Sequence, residues 1–554
     1  MPGMMDFQMF GQSTAKEDGT MEIRYADWMQ MERNSGRVST AHGTQLFQDD
    51  VHVQQMFRDN RLVVQLTADL SPVSILSLRW HFSEKERFHE PVKVYGDAWE
   101  RGYGDLEWRG VVPERMMPWV CALSNGSDQQ PDTDARWTQC FGVMVQPAAF
   151  CMWQLDTDGI TLWMDVRSGG EGVLLKGRTV TVCEIVFGCY QGMTAFEALK
   201  WFYGTLSPRR LRLEQPVYGS NNWYYAYGKS SDEDIRKDAE LLADLTDGLE
   251  NRPYMVIDDG WEKHMTDGPW SAGNERFPDM KALSGAIRDS HVLPGIWVRY
   301  LADGHEEWKV EQAARLQRDP HYLDPSHPLV LERIAEDTER LTMQWGYQLI
   351  KHDFSTCDLF GYWGFQRKGF LAGSDWHFFD RGRTSAEIVV KMYRTIYEHC
   401  PHGTILLGCN VIGHLAAGLV HMNRTGDDTS GVEWERTRKM GINTLAFRML
   451  HHHTLYEADA DCVGITGKID WSMNRQWLQI LSLSGTPLFV SCHPDQASGV
   501  VADDLRTAFI RASVQKDKLI PLDWMETTCP ETWCVNGEKI SFRWFQETGM
   551  PMKM

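Results

Sequence analysis

"PLVLERIAEDTERLTMQWGYQLIKHDF", residues 328–354, holds a helical pattern followed by a strand. Up to Trp345 the apolar residues recur at helical spacing; from Tyr347 they form a short apolar run of strand length. The run ends in Lys351, His352 and Asp353. A buried strand has no structural reason to finish in three polar groups, so these residues call for a chemical one.

Outward from this unit the same rhythm of strand, loop and helix continues. Candidate strands lie at 217–223, 254–258, 294–300, 347–352, 404–409, 419–423, 455–459 and 487–491, separated by helical patterns such as "DEDIRKDAELLADL" and "SAEIVVKMYRTIYEHC". Strands and helices alternating in this way over about 290 residues predict a (β/α)8 TIM barrel. A doubly wound sheet competes, but no Gly-rich phosphate loop follows any of the strands. Before residue 212 the pattern is different. Short alternating stretches ("RLVVQLTADL", "GITLWMDV", "TVTVCEIVFG") predict a β-sandwich, closed by a helix over 194–206. Towards the end, "TWCVNGEKISFRWFQ" predicts a hairpin at Asn536-Gly537. The expected organisation is multi-domain: an N-terminal β-sandwich (1–212), a central barrel (213–514) and a small C-terminal antiparallel β domain (515–554).

Composition narrows the function. The 554 residues carry a net charge of −20, which argues against a nucleic-acid or anionic-membrane surface and fits a small neutral partner. No apolar run is long enough to span a bilayer, and the first twenty residues do not read as a signal peptide, so a cytoplasmic protein is expected. The 12 cysteines show no metal-ligand rhythm, and no metal or cofactor is expected. His451, His452 and His453 lie on a predicted helix ("EWERTRKMGINTLAFRMLHH"), from which consecutive residues cannot converge on one ion. Twenty-three Trp and 17 Tyr are mostly core material, although such rings also suit the apolar faces of sugars.

In a barrel of this kind the chemistry sits where polar residues close the strands. The second strand ends in Asp258, Asp259 and Trp261; the third in Trp297 and Arg299; the fourth in Lys351 and Asp353. The fifth offers Cys409 and Asn410, the sixth Arg424, Asp427 and Asp428, and the seventh Glu457, Asp459 and Asp461. For Asp459 and Asp461 a helix cap or turn is the plainer use. Lys351, two positions before Asp353 on the same strand face, would keep that carboxylate ionised, as a nucleophile requires. A ring of carboxylates without a phosphate loop, a nucleophilic triad or a metal cluster points to glycoside hydrolysis.

The ordered set "NNWYYAYGKSSDEDI", "VIDDGW", "NERFPDMKAL", "PGIW", "YLDPSHPLV", "YQLIKHDF", "GCN" and "RTGDDT" resembles glycoside hydrolase family 36, the α-galactosidases and their relatives in clan D, from about residue 217 to 495. The resemblance implies a retaining exo-α-galactosidase with Asp353 as nucleophile and Asp428 as acid/base, Asp427 being the alternative. It also implies that Lys351, Asp258 and Asp259 hold sugar hydroxyls, that Trp261 and Trp297 wall the pocket, and that Cys409, Asn410 and Arg424 lie against the substrate. α-N-acetylgalactosaminidases and galactosyl-transferring enzymes share this catalytic pair. His352 departs from the family pattern, where an apolar residue is common, and is expected to pack behind the strand. The partner implied is a small carbohydrate, and the number of subunits, including a homo-oligomer, is left open.

Overall fold

The computed structural model describes residues 22–26, 50–59, 61–81, 92–126, 136–366, 369–514 and 518–545. The first twenty residues, and the reading made of them, lie outside the described residues.

The alternating stretches before residue 212 form two antiparallel sheets. One has five strands in the order Glu22–Ala26, Ile75–His81, Gly159–Asp165, Phe150–Leu155, Met117–Pro118. The other has six, in the order Val51–Arg58, Arg61–Ala68, Thr179–Gln191, Trp137–Val143, Val120–Ser124, Lys93–Gly96. Aromatic rings fill the space between them: Trp80 meets Phe187 at 5.6 Å and Trp153 meets Phe141 at 5.9 Å, centroid to centroid. A buried indole removes enough apolar surface from water to contribute about 5 kcal/mol. The helix Ala195–Leu206 follows, capped as its sequence predicts by a reciprocal Thr194–Glu197 box.

All eight predicted barrel strands are present: Tyr218–Asn221, Tyr254–Ile257, Leu293–Val298, Leu349–His352, Ile405–Gly408, Met422–Arg424, Glu457–Asp459 and Leu488–Cys492. Each of the first six pairs in parallel with the next, and the eighth pairs with the first. A short additional strand, Cys462–Ile465, pairs with the eighth and makes a nine-stranded sheet. Ala460 and Asp461 join it to the seventh, with Asp461 at φ +72°. The sixth strand starts later than 419 because the chain is still turning through Gly418, at φ +80°. Two helical expectations also shift. The helix over 328–345 is α-helical only as Pro328–Glu339 and ends in a π turn, Arg340–Gln344. The helix over 433–452 stops at Arg448, before the histidines. Among the described residues no helix is long and apolar enough to cross a membrane.

Sandwich and barrel are docked by buried polar contacts. Asp97 accepts from Arg448 at 2.8 Å and lies 3.0 Å from His451 Nε2. The His414 ring stacks on Trp119 at 4.7 Å. Gly102 pairs with Gly426 as an isolated parallel bridge. The terminal three-stranded sheet, Leu519–Pro521, Thr532–Val535 and Glu538–Ser541, turns at Asn536 and Gly537, both with positive φ (51° and 94°), as the hairpin motif requires. Trp524 sits against Trp108, Phe196 and Phe447, and so touches the sandwich, its closing helix and the barrel.

Candidate active site

Asp353 stands at the C-terminal end of the fourth strand with 7% of its surface exposed. Its Oδ2 accepts from Trp297 Nε1 at 3.1 Å, and its Oδ1 from the Phe354 amide at 2.7 Å. Burial pushes its pKa up, but Arg101, Lys351 and these two bonds outweigh burial and hold it at about 2. Phe354 adopts a left-handed conformation, φ +63°, turning the chain straight into the helix Ser355–Phe360. Arg299 secures that turn. It grips Asp358 with two nitrogens (2.6 and 3.0 Å), and its guanidinium lies 4.2 Å from the Phe354 ring.

Lys351 does not touch Asp353 directly. Its Nζ donates to Asp258 Oδ2 at 2.7 Å, an oxygen that also accepts from Asn221 Nδ2 at 2.5 Å. Its effect on Asp353 is through charge alone. The paired aspartates of the second strand have different surroundings. Asp258 faces Lys351, whereas Asp259 accepts from the Thr266 amide at 2.9 Å and shares a hydrogen bond with the fully buried Glu262. Burial and then the neighbouring Glu262 push the Asp259 carboxyl above the usual carboxylate range. Trp261 lies behind Trp297 rather than beside it. It is fully buried, packs on Trp270 and Trp345, and donates to the Trp297 carbonyl at 3.0 Å. Trp297 is equally buried, so the two indoles form one stack in which Trp261 supports Trp297 and Trp297 holds Asp353.

At the end of the neighbouring fifth strand, Cys409 accepts from Arg101 Nη1 at 3.7 Å. Asn410 is turned away from the cleft and braces the loop after the fourth strand: its Oδ1 accepts from the Cys357 amide at 3.1 Å, and its Nδ2 donates to Glu100. Arg424 joins three carboxylates, Asp428 at 3.3 Å, Asp459 at 3.2 Å and Asp461 at 3.0 Å. Asp461 also accepts from the Thr429 amide at 2.7 Å and so ties the seventh-strand end to the sixth-strand loop.

Asp427 and Asp428 are told apart by geometry. Asp427 has both oxygens taken, Oδ1 by Arg101 Nη2 at 2.7 Å and Oδ2 by Arg436 at 2.9 Å. The Asp428 side chain is 34% exposed and has only longer contacts, 3.3 Å to Arg424 Nη1 and 4.0 Å to Arg101 Nη1, both at Oδ1. Burial pushes its pKa up, and Asp461 and Asp427 add to that against the pull of Arg424 and Arg101.

No protein-family model matches this sequence, and no curated protein resembles it in sequence. Solved structures do match. The α-galactosidase TtGalA from Thermus thermophilus, solved with p-nitrophenyl α-D-galactopyranoside, superposes with a TM-score of 0.55 over 88% of this chain and 99% of its own, at 15% identity. A variant of the family 36 α-galactosidase AgaA from Geobacillus stearothermophilus, solved with 1-deoxygalactonojirimycin, gives 0.60 over 88% and 71%, at 14% identity. The galactosidase domain of the α-galactosidase–sucrose kinase AgaSK gives 0.56 over 87% and 69%, at 15% identity. The fold is theirs.

Outside the cleft, His352 packs behind the fourth strand between Tyr300 and Tyr393, and burial lowers its pKa to about 4. His452 and His453 do converge, contrary to the sequence expectation. The helix has already ended, and the turn brings His452 Nδ1 and His453 Nε2 to 3.2 and 2.9 Å from the same Glu457 oxygen. Glu457 opens the seventh strand, at the end of the barrel opposite Asp353, and it already feels the charges of Lys200 and Arg210. Three residues at the site itself were not anticipated: Glu262, Glu100 and Arg101. Only Glu262 had a signal, as a carboxylate shortly after "DDGW". Glu100 and Arg101 come from the sandwich, where reading barrel strand ends does not look.

Proposed function

We propose that this protein is a retaining exo-α-galactosidase, a glycoside hydrolase that removes terminal α-linked galactose from small galactosides. The observation that carries this reading is the pair Asp353 and Asp428, at the ends of two strands of one barrel and pushed in opposite directions. Asp353 is held ionised and Asp428 is biased towards its protonated form. A double displacement needs that division of labour.

In the first step an Asp353 oxygen bonds the anomeric carbon as the C1–O bond breaks, and Asp428 gives its proton to the departing oxygen. The Trp297 N–H on Asp353 Oδ2 fixes the carboxylate plane. In the second step Asp428 takes a proton from water, the water oxygen bonds C1, and the ester to Asp353 breaks. The two carboxyl groups must lie about 5–5.5 Å apart for this route. The Asp258–Lys351 pair faces the position of the sugar hydroxyls, and an axial O4 bonded there cannot be mimicked by an equatorial one. Arg424 tethers Asp428 and lies at the O2 side. No cofactor enters the scheme. The barrel over 213–514 carries the chemistry, with the sandwich (1–212) and the C-terminal β domain (515–554) packed against it.

The test is hydrolysis of p-nitrophenyl α-galactoside and of p-nitrophenyl α-N-acetylgalactosaminide by the wild type and by Asp353→Ala, with the anomer first released followed by NMR. Galactoside turnover that releases the α-anomer and vanishes in the variant is expected. Turnover of the N-acetylgalactosaminide alone overturns the sugar, and activity surviving in Asp353→Ala overturns the nucleophile.

A further inference from the structure

The guanidinium of Arg101 belongs to the sandwich, yet it lies among the carboxylates of the barrel and is only 5% exposed. Nη2 is 2.7 Å from Asp427 Oδ1; Nη1 is 4.0 Å from Asp428 Oδ1 and donates to Cys409 Sγ at 3.7 Å. Its flat faces lie toward Trp363 at 5.4 Å and Tyr103 at 5.8 Å. The backbone beside it is tied to the sixth-strand loop from both directions. Gly102 N–H donates to the Thr425 carbonyl at 2.8 Å, and Asp427 N–H donates to the Gly102 carbonyl at 2.9 Å. On its other side Glu100 binds Asn410 of the fifth-strand loop and the Gly364 amide at 2.8 Å. Residues 100–103 are thus clasped between the loops that carry the cleft, and Arg101 has no freedom to swing out.

The planar guanidinium sends Nη2 to Asp427 and Nη1 towards Cys409 and Asp428, a two-pronged reach that the single ammonium of a lysine cannot reproduce. With Arg436 on its other oxygen, Asp427 is committed to two ion pairs and cannot serve as a proton donor. That leaves Asp428 as the carboxyl that faces the cleft. Arg101 also brings a fixed positive charge close to Asp353.

We propose that Arg101 is a positioning residue supplied by the sandwich, which locks Asp427 so that Asp428 alone acts as acid/base. The inference rests on the catalytic roles proposed above for Asp353 and Asp428. It makes the N-terminal sandwich part of the active site rather than an appendage to it.

The test compares Arg101→Met and Arg101→Lys with the wild type, all checked for an unchanged thermal melt. The readouts are the pH profile of kcat/KM on p-nitrophenyl α-galactoside and crystal structures of the wild type and Arg101→Met. Arg101 pulls the ionisation of both Asp353 and Asp428 downward, so losing its charge moves both limbs of the bell to higher pH. In Arg101→Met the expected result is that shift, with a loss of roughly 10²-fold from misplacement of the acid. Arg101→Lys keeps the charge and loses the fork, so its limbs stay in place while its height falls. A merely packing role would lower the height in both variants and move no limb, which overturns the proposal. If the wild type cleaves neither glycoside, the functional reading is what fails, and the structures then decide the positioning role. A carboxyl of Asp428 displaced in Arg101→Met supports that role, and an unmoved Asp427–Asp428 segment overturns it.

Discussion

Asp427 and Asp428 are neighbours in sequence with the same side chain, yet only their partners decide what each can do. A carboxylate bridged between two guanidiniums cannot release and recapture a proton during a catalytic cycle without breaking both pairs. Asp428, partly exposed and with a raised pKa, can. Replacing Asp428 by Ala should therefore lower turnover by roughly 10²–10⁴-fold. Added azide, which needs no base, should restore the second step and give α-galactosyl azide, because it attacks C1 from the face water uses. Asp427→Ala should also lose activity, by loosening Arg101, but azide should not restore it. Rescue of Asp427→Ala and not of Asp428→Ala would exchange the two roles. The sequence named both residues and preferred Asp428 on a spacing of four from Arg424; the ion pairs that separate them come from Arg101 and Arg436, which no local motif announces.

At the scale of elements, the turn after the fourth strand shows how a strand end becomes an active-site end. Leu349–His352 is buried along its whole length, and the chain leaves it through Phe354 in a conformation that a bulky residue rarely adopts. Arg299, from the third strand, holds the exit by gripping Asp358 and covering the Phe354 ring. Asp358 is fully buried, and burial pushes its pKa up to about 6 even against Arg299. Arg299→Met would leave that carboxyl without its cation, at a cost of about 3–5 kcal/mol, the usual range for breaking a buried pair. Calorimetry should show a lowered melting temperature, partly recovered in the Arg299→Met/Asp358→Asn double variant. An unchanged melt in the single variant would mean that the turn does not depend on this clasp. The strands themselves were legible because barrel strands read as apolar runs closed by polar residues. Their exact ends were less so, since a positive φ at Gly418 or Asp461 leaves no trace in apolar periodicity. The same blindness hid the meeting of His452 with His453: the periodic pattern runs past Arg448, whereas the helix does not.

At the scale of the whole molecule, the three-part layout was readable from changes of rhythm along the chain, but the way the parts meet was not. Sandwich and barrel are joined by single polar residues buried among rings, and one such residue looks like any other Asp in a β-rich segment. Asp97 is the clearest case. It is buried, binds Arg448 at 2.8 Å and lies 3.0 Å from His451, and both of those residues belong to the barrel side. Burial works against its charge, but Arg448 and His451 win, and its carboxyl is held below the usual range. A carboxyl whose pKa is depressed on folding contributes stability above its ordinary pKa and loses it as the pH falls towards the folded value. Asp97→Asn would leave Arg448 buried as an unpaired charge, again about 3–5 kcal/mol. The melting temperature of the variant should therefore lie well below that of the wild type at neutral pH, and the gap should narrow below the ordinary carboxyl value of 3.8 as the wild type protonates Asp97. A gap that stays constant with pH would assign the effect to packing rather than charge. Arg101 lies four residues beyond Asp97 on the same segment, so loosening this joint should reach the cleft as well. Activity of Asp97→Asn should fall before global unfolding begins, because the clasp that positions Asp427 and Asp428 is held in place by the same joint.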